Sequence, residues 1–185
     1  IIKDEISVLR CPQLTALVDH HRKERNKIQS SIPSEIVELG LIVVDASAIR
    51  DELASKHTEI ISKLLGLLAT HIKTNGRRIL NQYENMAKSL QAFPRNIEEL
   101  AKLQEYCGTI SGLIEEMKEP MVSLYSDFNL LETYSHQAPV LFNQRWEICQ
   151  WPRRIQKIVK RTLATIEQKK QQYSLQMADE QVIFE

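Results

Sequence analysis

Turn-forming residues are scarce: 5 glycines and 6 prolines in a chain of 185 residues. A β-rich or loop-rich fold needs tight turns at short intervals, and Gly and Pro supply most of the backbone angles those turns demand. Cysteine is scarcer still. The three present, Cys11, Cys107 and Cys149, are odd in number and far apart, and no Cys-x-x-Cys occurs. That argues against a disulfide framework or a zinc cluster and sets the expectation of a reducing, intracellular setting. No apolar run reaches the ~18 residues that would cross a bilayer. An excess of charge of either sign is missing as well, since 24 Lys and Arg balance 24 Asp and Glu. There is no net pull toward nucleic acid or an anionic membrane. Neither glycine-rich phosphate loop, G-x-x-x-x-G-K or G-x-G-x-x-G, is present, and no Ser or Cys sits in a nucleophile elbow.

The bulk of the chain is helix-forming material: Leu, Glu, Lys, Gln, Ala and Ile. Hydrophobic residues make up 43%, enough for a core, and 26% charged residues argue against disorder. A first helix is expected over Pro12–Ser30, with Leu14, Leu17 and Val18 on its apolar side. The stretch 30–47 breaks the pattern at Pro33 and Gly40, and the β-branched run 41–44 reads as a lone strand or extended strap buried against helices. Asp45 or Ser47 can cap the next helix. From Ile49 through Leu53, His57, Ile60, Leu64, Leu68, Ile72, Gly76, Ile79, Tyr83 and Met86 to Leu90, apolar residues recur every three or four positions, one helical stripe over about 46–91. Pro94 ends it and Asn96 can cap a second arm whose first turn carries Glu98 and Glu99. That arm runs in heptad steps from Ile97 to Leu131. After the corner at 132–139 a third arm contains Trp146, Trp151 and Pro152.

The expected fold class is all-α: an elongated antiparallel bundle of three long arms, preceded by a short helix and one extended strap. Residues 1–45 form the helix and strap, 46–178 the bundle (arms 46–91, 96–132 and 139–178), and 179–185 a truncated end. The start without Met and the end without a stop signal suggest an excerpt of a longer chain. The third arm is rich in Arg and Lys and the second in Glu, so the two are expected to pair and set register. Kinks or breaks are expected at Gly76, Pro120 and Pro152.

No residue cluster compels a chemistry. His20 and His21 are adjacent, about 100° apart on a helix, whereas two ligands of one metal normally stand three or four residues apart. His57 reads as a hydrogen-bonded core histidine. Cys107 and Cys149 read as small hydrophobes facing each other in the core. Gly108 and Gly112 have the spacing of a membrane G-x-x-x-G on a helix too charged to span. The stretch RWEICQWPRRIQKIVKR (145–161) sets two tryptophans before a proline that five cations follow, Arg153, Arg154, Lys157, Lys160 and Arg161. Base stacking with phosphate binding is one reading, a basic helix on an anionic membrane another, and a packed corner at a proline-set bend the default.

Several stretches resemble the stem of a dynein heavy chain. IPSEIVELGLIVVDASAIRDELASKHTEIISKLL (32–65) has an Ile-Pro pair, a Leu-Gly followed by an apolar run, and a Leu-x-x-Lys (Leu53, Lys56) near the start of a long helix. FPRNIEELAKLQEYCGTISGLIEEM (93–117) resembles the proline turn, Glu-Glu-Leu helix start and Leu-x-x-Tyr of that family. YSDFNLLETY (125–134) resembles its leucine pair before a corner. RWEICQWPRRI (145–155) resembles the Trp…Trp-Pro element of axonemal heavy chains. The resemblance covers about residues 32–178, and its motifs are structural. It implies a tail segment just before the linker of an ATP-driven, minus-end-directed microtubule motor of cilia or flagella. The segment would not be an enzyme: ATP and Mg would be bound by the parent's motor ring alone, and no metal or cofactor by this segment. Its partners would be intermediate and light chains and neighbouring heavy chains, with no nucleic acid, membrane or small-molecule substrate. Its place would be the axonemal cytoskeleton. Trp146, Trp151 and Pro152 would lock an angle between bundle segments, with Gly76 and Pro120 as points of limited compliance. The alternatives are a spectrin-like or coiled-coil scaffold module with no motor, and a membrane-bending helical dimer.

Overall fold

Short side-chain oxygens mark where the helices begin. Asp45 Oδ1 accepts from the Ser47 amide at 3.0 Å and from its hydroxyl at 2.6 Å, and a helix starts at Ser47. Asn96 Oδ1 accepts from the Glu99 amide at 2.8 Å while Glu99 Oε2 accepts from the Arg95 amide at 2.8 Å. This reciprocal pair satisfies donors that the first turn leaves over, and Glu98 and Glu99 also face the positive end of the helix dipole.

The computed structural model describes residues 11–33, 36–134 and 139–184, and of these the side chains of 11, 12, 38, 39, 139, 140 and 178–184 are not described. Residues 135–138 of the corner at 132–139 and residues 34–35 of the stretch 30–47 therefore lie outside the described residues. The elements are α1 (Cys11–Ser31), β1 (Val37–Leu39), β2 (Ile42–Val44), α2 (Ser47–Leu90), α3 (Ile97–Glu116), α4 (Lys118–Thr133) and α5 (Pro139–Phe184). The protein is predominantly helical.

The strand region departs from expectation. β1 and β2 pair antiparallel with Val37 opposite Val44 and Leu39 opposite Ile42. Gly40, at φ 67°, supplies the left-handed residue of the two-residue connection. This is a hairpin, not a buried strap: Leu41, Ile42, Val43 and Val44 are all exposed. A strand so short forms its ladder with its sequence neighbour.

The chain divides into two compact units. The first comprises Ile1–Lys73 and Ser126–Ala138, the second Thr74–Tyr125 and Pro139–Glu185. The division does not follow the ends of the helices. It lies within α2 and α4, so each of these helices contributes residues to both units. In the first unit Leu14 and Val18 of α1, Leu64, Leu65 and Ile72 of α2 and Phe128 of α4 are buried. In the second, α3 packs on α5, and Tyr83, Leu90, Leu100, Ile110, Ile148 and Ile155 are buried.

The three helix-breaking positions behave differently. Gly76 lies within an unbroken α2 and is buried. Pro152 lies inside α5 without ending it; lacking an N–H, it leaves the Ile148 carbonyl without its usual acceptor role in the helix ladder. Near Pro120 the chain does break: α3 ends at Glu116, Met117 caps it, and α4 starts at Lys118. Pro120 then stands in the first turn of a new helix, where a missing donor costs little.

Candidate functional site

Trp151 is the centre of the second unit's aromatic cluster. Its ring lies parallel to that of Tyr83, 5.9 Å between centroids and 6° between planes. Offset stacking in this range is worth about 0.5–1.5 kcal/mol beyond area burial. The Arg154 guanidinium stands over the Trp151 ring, 5.6 Å from its centroid. Tyr83 is fully buried and its hydroxyl donates to Met121 Sδ at 3.2 Å; burial pushes its phenol up. The Trp151 indole N–H is buried with no hydrogen-bond partner, a cost of about 1–3 kcal/mol. A second phenol, Tyr125, donates to Cys149 Sγ at 3.0 Å. Burial first, then the Cys149 contact, raises Tyr125 well above the ordinary tyrosine value.

The two tryptophans named for the joint differ in their surroundings. Trp151 is packed, whereas Trp146 is 64% exposed and makes no described aromatic or hydrogen-bonded contact. Tyr83 is the ring that Trp151 meets. Only its place in the apolar stripe of α2 pointed to it. Gly76 has a separate role: a Cβ there would come within 2.7 Å of the Gln144 side chain, so its absence lets α2 and α5 approach.

Further along α5, three polar side chains fasten it to the end of α2 and the turn beyond. Thr162 Oγ1 donates to the Leu90 carbonyl at 3.0 Å, taking up one of the acceptors a helix end leaves over. Lys169 Nζ donates to the Pro94 carbonyl at 3.0 Å and sits over the Phe93 ring. Tyr173 donates to the Arg95 carbonyl at 3.4 Å. The hollow beside this turn, about 270 Å³, is lined by Phe93, Pro94, Glu99, Lys102, Leu103 and Tyr106. Its carboxylate is the one already spent on capping α3.

Two expectations about this unit are corrected. The described ion pairs Arg50–Asp51, Lys56–Glu52, Lys63–Glu59 and Lys118–Glu115 are each local in sequence, and none of them joins α3 to α5. The charges lie on outer faces, because the apolar seams turn inward. Cys107 is buried but Cys149 is exposed, so they do not share the core; both are free thiols.

In the first unit α1 is tied down by polar contacts. Tyr134 donates to Asp19 Oδ1 at 2.7 Å, and the Arg22 guanidinium lies 4.5 Å from the Tyr134 ring. His21 and His57 share a hydrogen bond, 3.0 Å between Nδ1 atoms, so one imidazole donates and the other must be neutral to accept. Burial, then His57, then His20, pushes the His21 pKa down. His57 thus has its hydrogen bond, from α1, although it is only half-buried. No group of three or more His, Cys, Asp or Glu among the described residues is placed to hold a metal ion, and no described helix is long and apolar enough to cross a membrane. No protein-family model matches the chain, and no curated protein matches it by sequence.

Proposed function

We propose that the chain is a structural, force-transmitting stem segment of an axonemal dynein heavy chain, which also docks associated chains. In this reading its helices form three long antiparallel arms, and the segment has no catalytic role of its own. Motor chemistry, with ATP and Mg, belongs to the parent's ring. Trp151 with Pro152 would fix an angle in α5, and Gly76 and Pro120 would mark limited compliance. The observation that carries the proposal is the row of fastenings along α5: Trp151 on Tyr83, Thr162 on Leu90, Lys169 on Pro94 and Tyr173 on Arg95. A helix held at intervals over some 22 residues spans roughly 33 Å of α5 at 1.5 Å per residue. Such a helix carries load along its axis rather than uncoiling under it, as a flexible linker would.

The family assignment rests on the resemblance of 32–65, 93–117, 125–134 and 145–155. An antibody to the segment tests it on ciliated-cell extracts. The motor reading expects it to precipitate a polypeptide that binds microtubules and is released by ATP. A precipitated polypeptide indifferent to ATP ends that reading and leaves the scaffold, which the exposed Leu41–Val44 hairpin favours as a recruiting surface.

A further inference from the structure

Two helix faces in the second unit lie opposite its core, and their features are complementary. On α5, Phe142, Trp146, Arg153, Lys157 and Lys160 fall within an arc of about 60° at 100° per residue, away from buried Ile148 and Ile155. Phe142 is 67% and Trp146 64% exposed. Arg153, Lys157 and Lys160 are exposed and enter none of the described ion pairs. On α3, Glu98, Ala101, Glu105, Gly108, Gly112 and Glu116 recur in steps of three and four, the spacing of a helix-docking seam. All six are exposed, opposite buried Leu100, Cys107 and Ile110. A Cβ on Gly108 or Gly112 would meet nothing within 4 Å. These glycines are therefore not explained by close packing within the chain, although each costs an exposed helix about 1 kcal/mol relative to Ala.

We infer that the outer seam of α5 docks antiparallel on the outer seam of α3 in a second copy of this chain. One seam is large and cationic, the other small and acidic. Setting Trp146 over Gly112 places Arg153 at Glu105, Lys160 at Glu98, and Lys157 between the two glutamates. The seams cannot satisfy one another within a copy, because α3 and α5 already meet through their inner faces. A polyanion such as nucleic acid or an anionic bilayer would fit the cations alone and be repelled by the glutamates. The inference stands independently of the motor reading.

Sedimentation velocity of the 185-residue chain tests it. Association is expected at about 50 mM salt and weakens by about tenfold or more near 500 mM, as screened charges require. Arg153→Glu with Lys160→Glu, and separately Glu98→Arg with Glu105→Arg, each leave a monomer. Mixing the two variants restores association, because each then offers the other a complementary seam. Gly112→Phe fills the groove without touching a charge and also leaves a monomer; it decides the matter should a charge variant lose helicity by circular dichroism. A wild-type chain monomeric throughout overturns the inference. So does association indifferent to these substitutions, or a monomer that binds RNA homopolymer or anionic vesicles through the three cations.

Discussion

At the scale of the residue, Trp151 and Trp146 look alike in sequence and differ in the structure. Trp151→Ala removes a stacked, half-buried ring and is expected to cost about 3 kcal/mol in urea unfolding. Trp151→Phe keeps most of the ring and removes the unsatisfied indole N–H, so it is expected to cost under about 1 kcal/mol. Trp146→Ala is expected to stay within about 0.5 kcal/mol of wild type. Equal losses for the two alanine variants contradict the packing described for Trp151. His21 gives a pH test. Its folded pKa lies below the ordinary 6.5, so the unfolded chain binds the proton more readily. Stability is then full above the unfolded value and is lost as pH falls through the folded one. Thermal unfolding at about pH 7.5 and about pH 5 should show a drop that His21→Asn makes shallower; an unchanged slope assigns the drop to other groups.

At the scale of the element, Asn96→Ala is expected to cost about 1 kcal/mol, since it frees the Glu99 amide at the start of α3. Gly76→Ala sets helix propensity, about 1 kcal/mol in favour, against a Cβ that displaces Gln144. The two nearly cancel in wild type, and the gain should emerge in a Gln144→Ala background. A double-mutant cycle by chemical denaturation reads the difference. The helical runs were legible in the sequence because their periodicity is long and their punctuation strong: Asp45, Pro94 and Asn96 each act locally. The facing of those runs was less so. From Ile49 to Leu90 the stripe takes eleven steps over 41 residues, and so turns by about 140° around the helix. Its first members, Ile49, Leu53 and Ile60, accordingly emerge exposed, and Ala54, Ile61 and Leu65 take the core. The hairpin escaped because the run at 41–44 shows its nature only beside its partner at 37–39. Its signal was Gly40 between two apolar triplets. The Tyr83 partner of Trp151 was illegible for a different reason: sequence spacing fixes which face a ring occupies, not which helix meets it.

At the scale of the whole molecule, balanced charge conceals segregated charge: α5 carries cations outward and α3 acids, and none of the described ion pairs joins them. Seams of apolar and polar fastenings, rather than salt bridges, hold the helices of each unit. The central claim is that these fastenings let the chain bear load. Pulling the 185-residue chain between its ends in an optical trap tests it most directly. The account predicts no lengthening until one or two discrete cooperative steps, with Trp151→Ala lowering the force of a step. Gradual lengthening from the lowest loads, as a flexible linker gives, would contradict it.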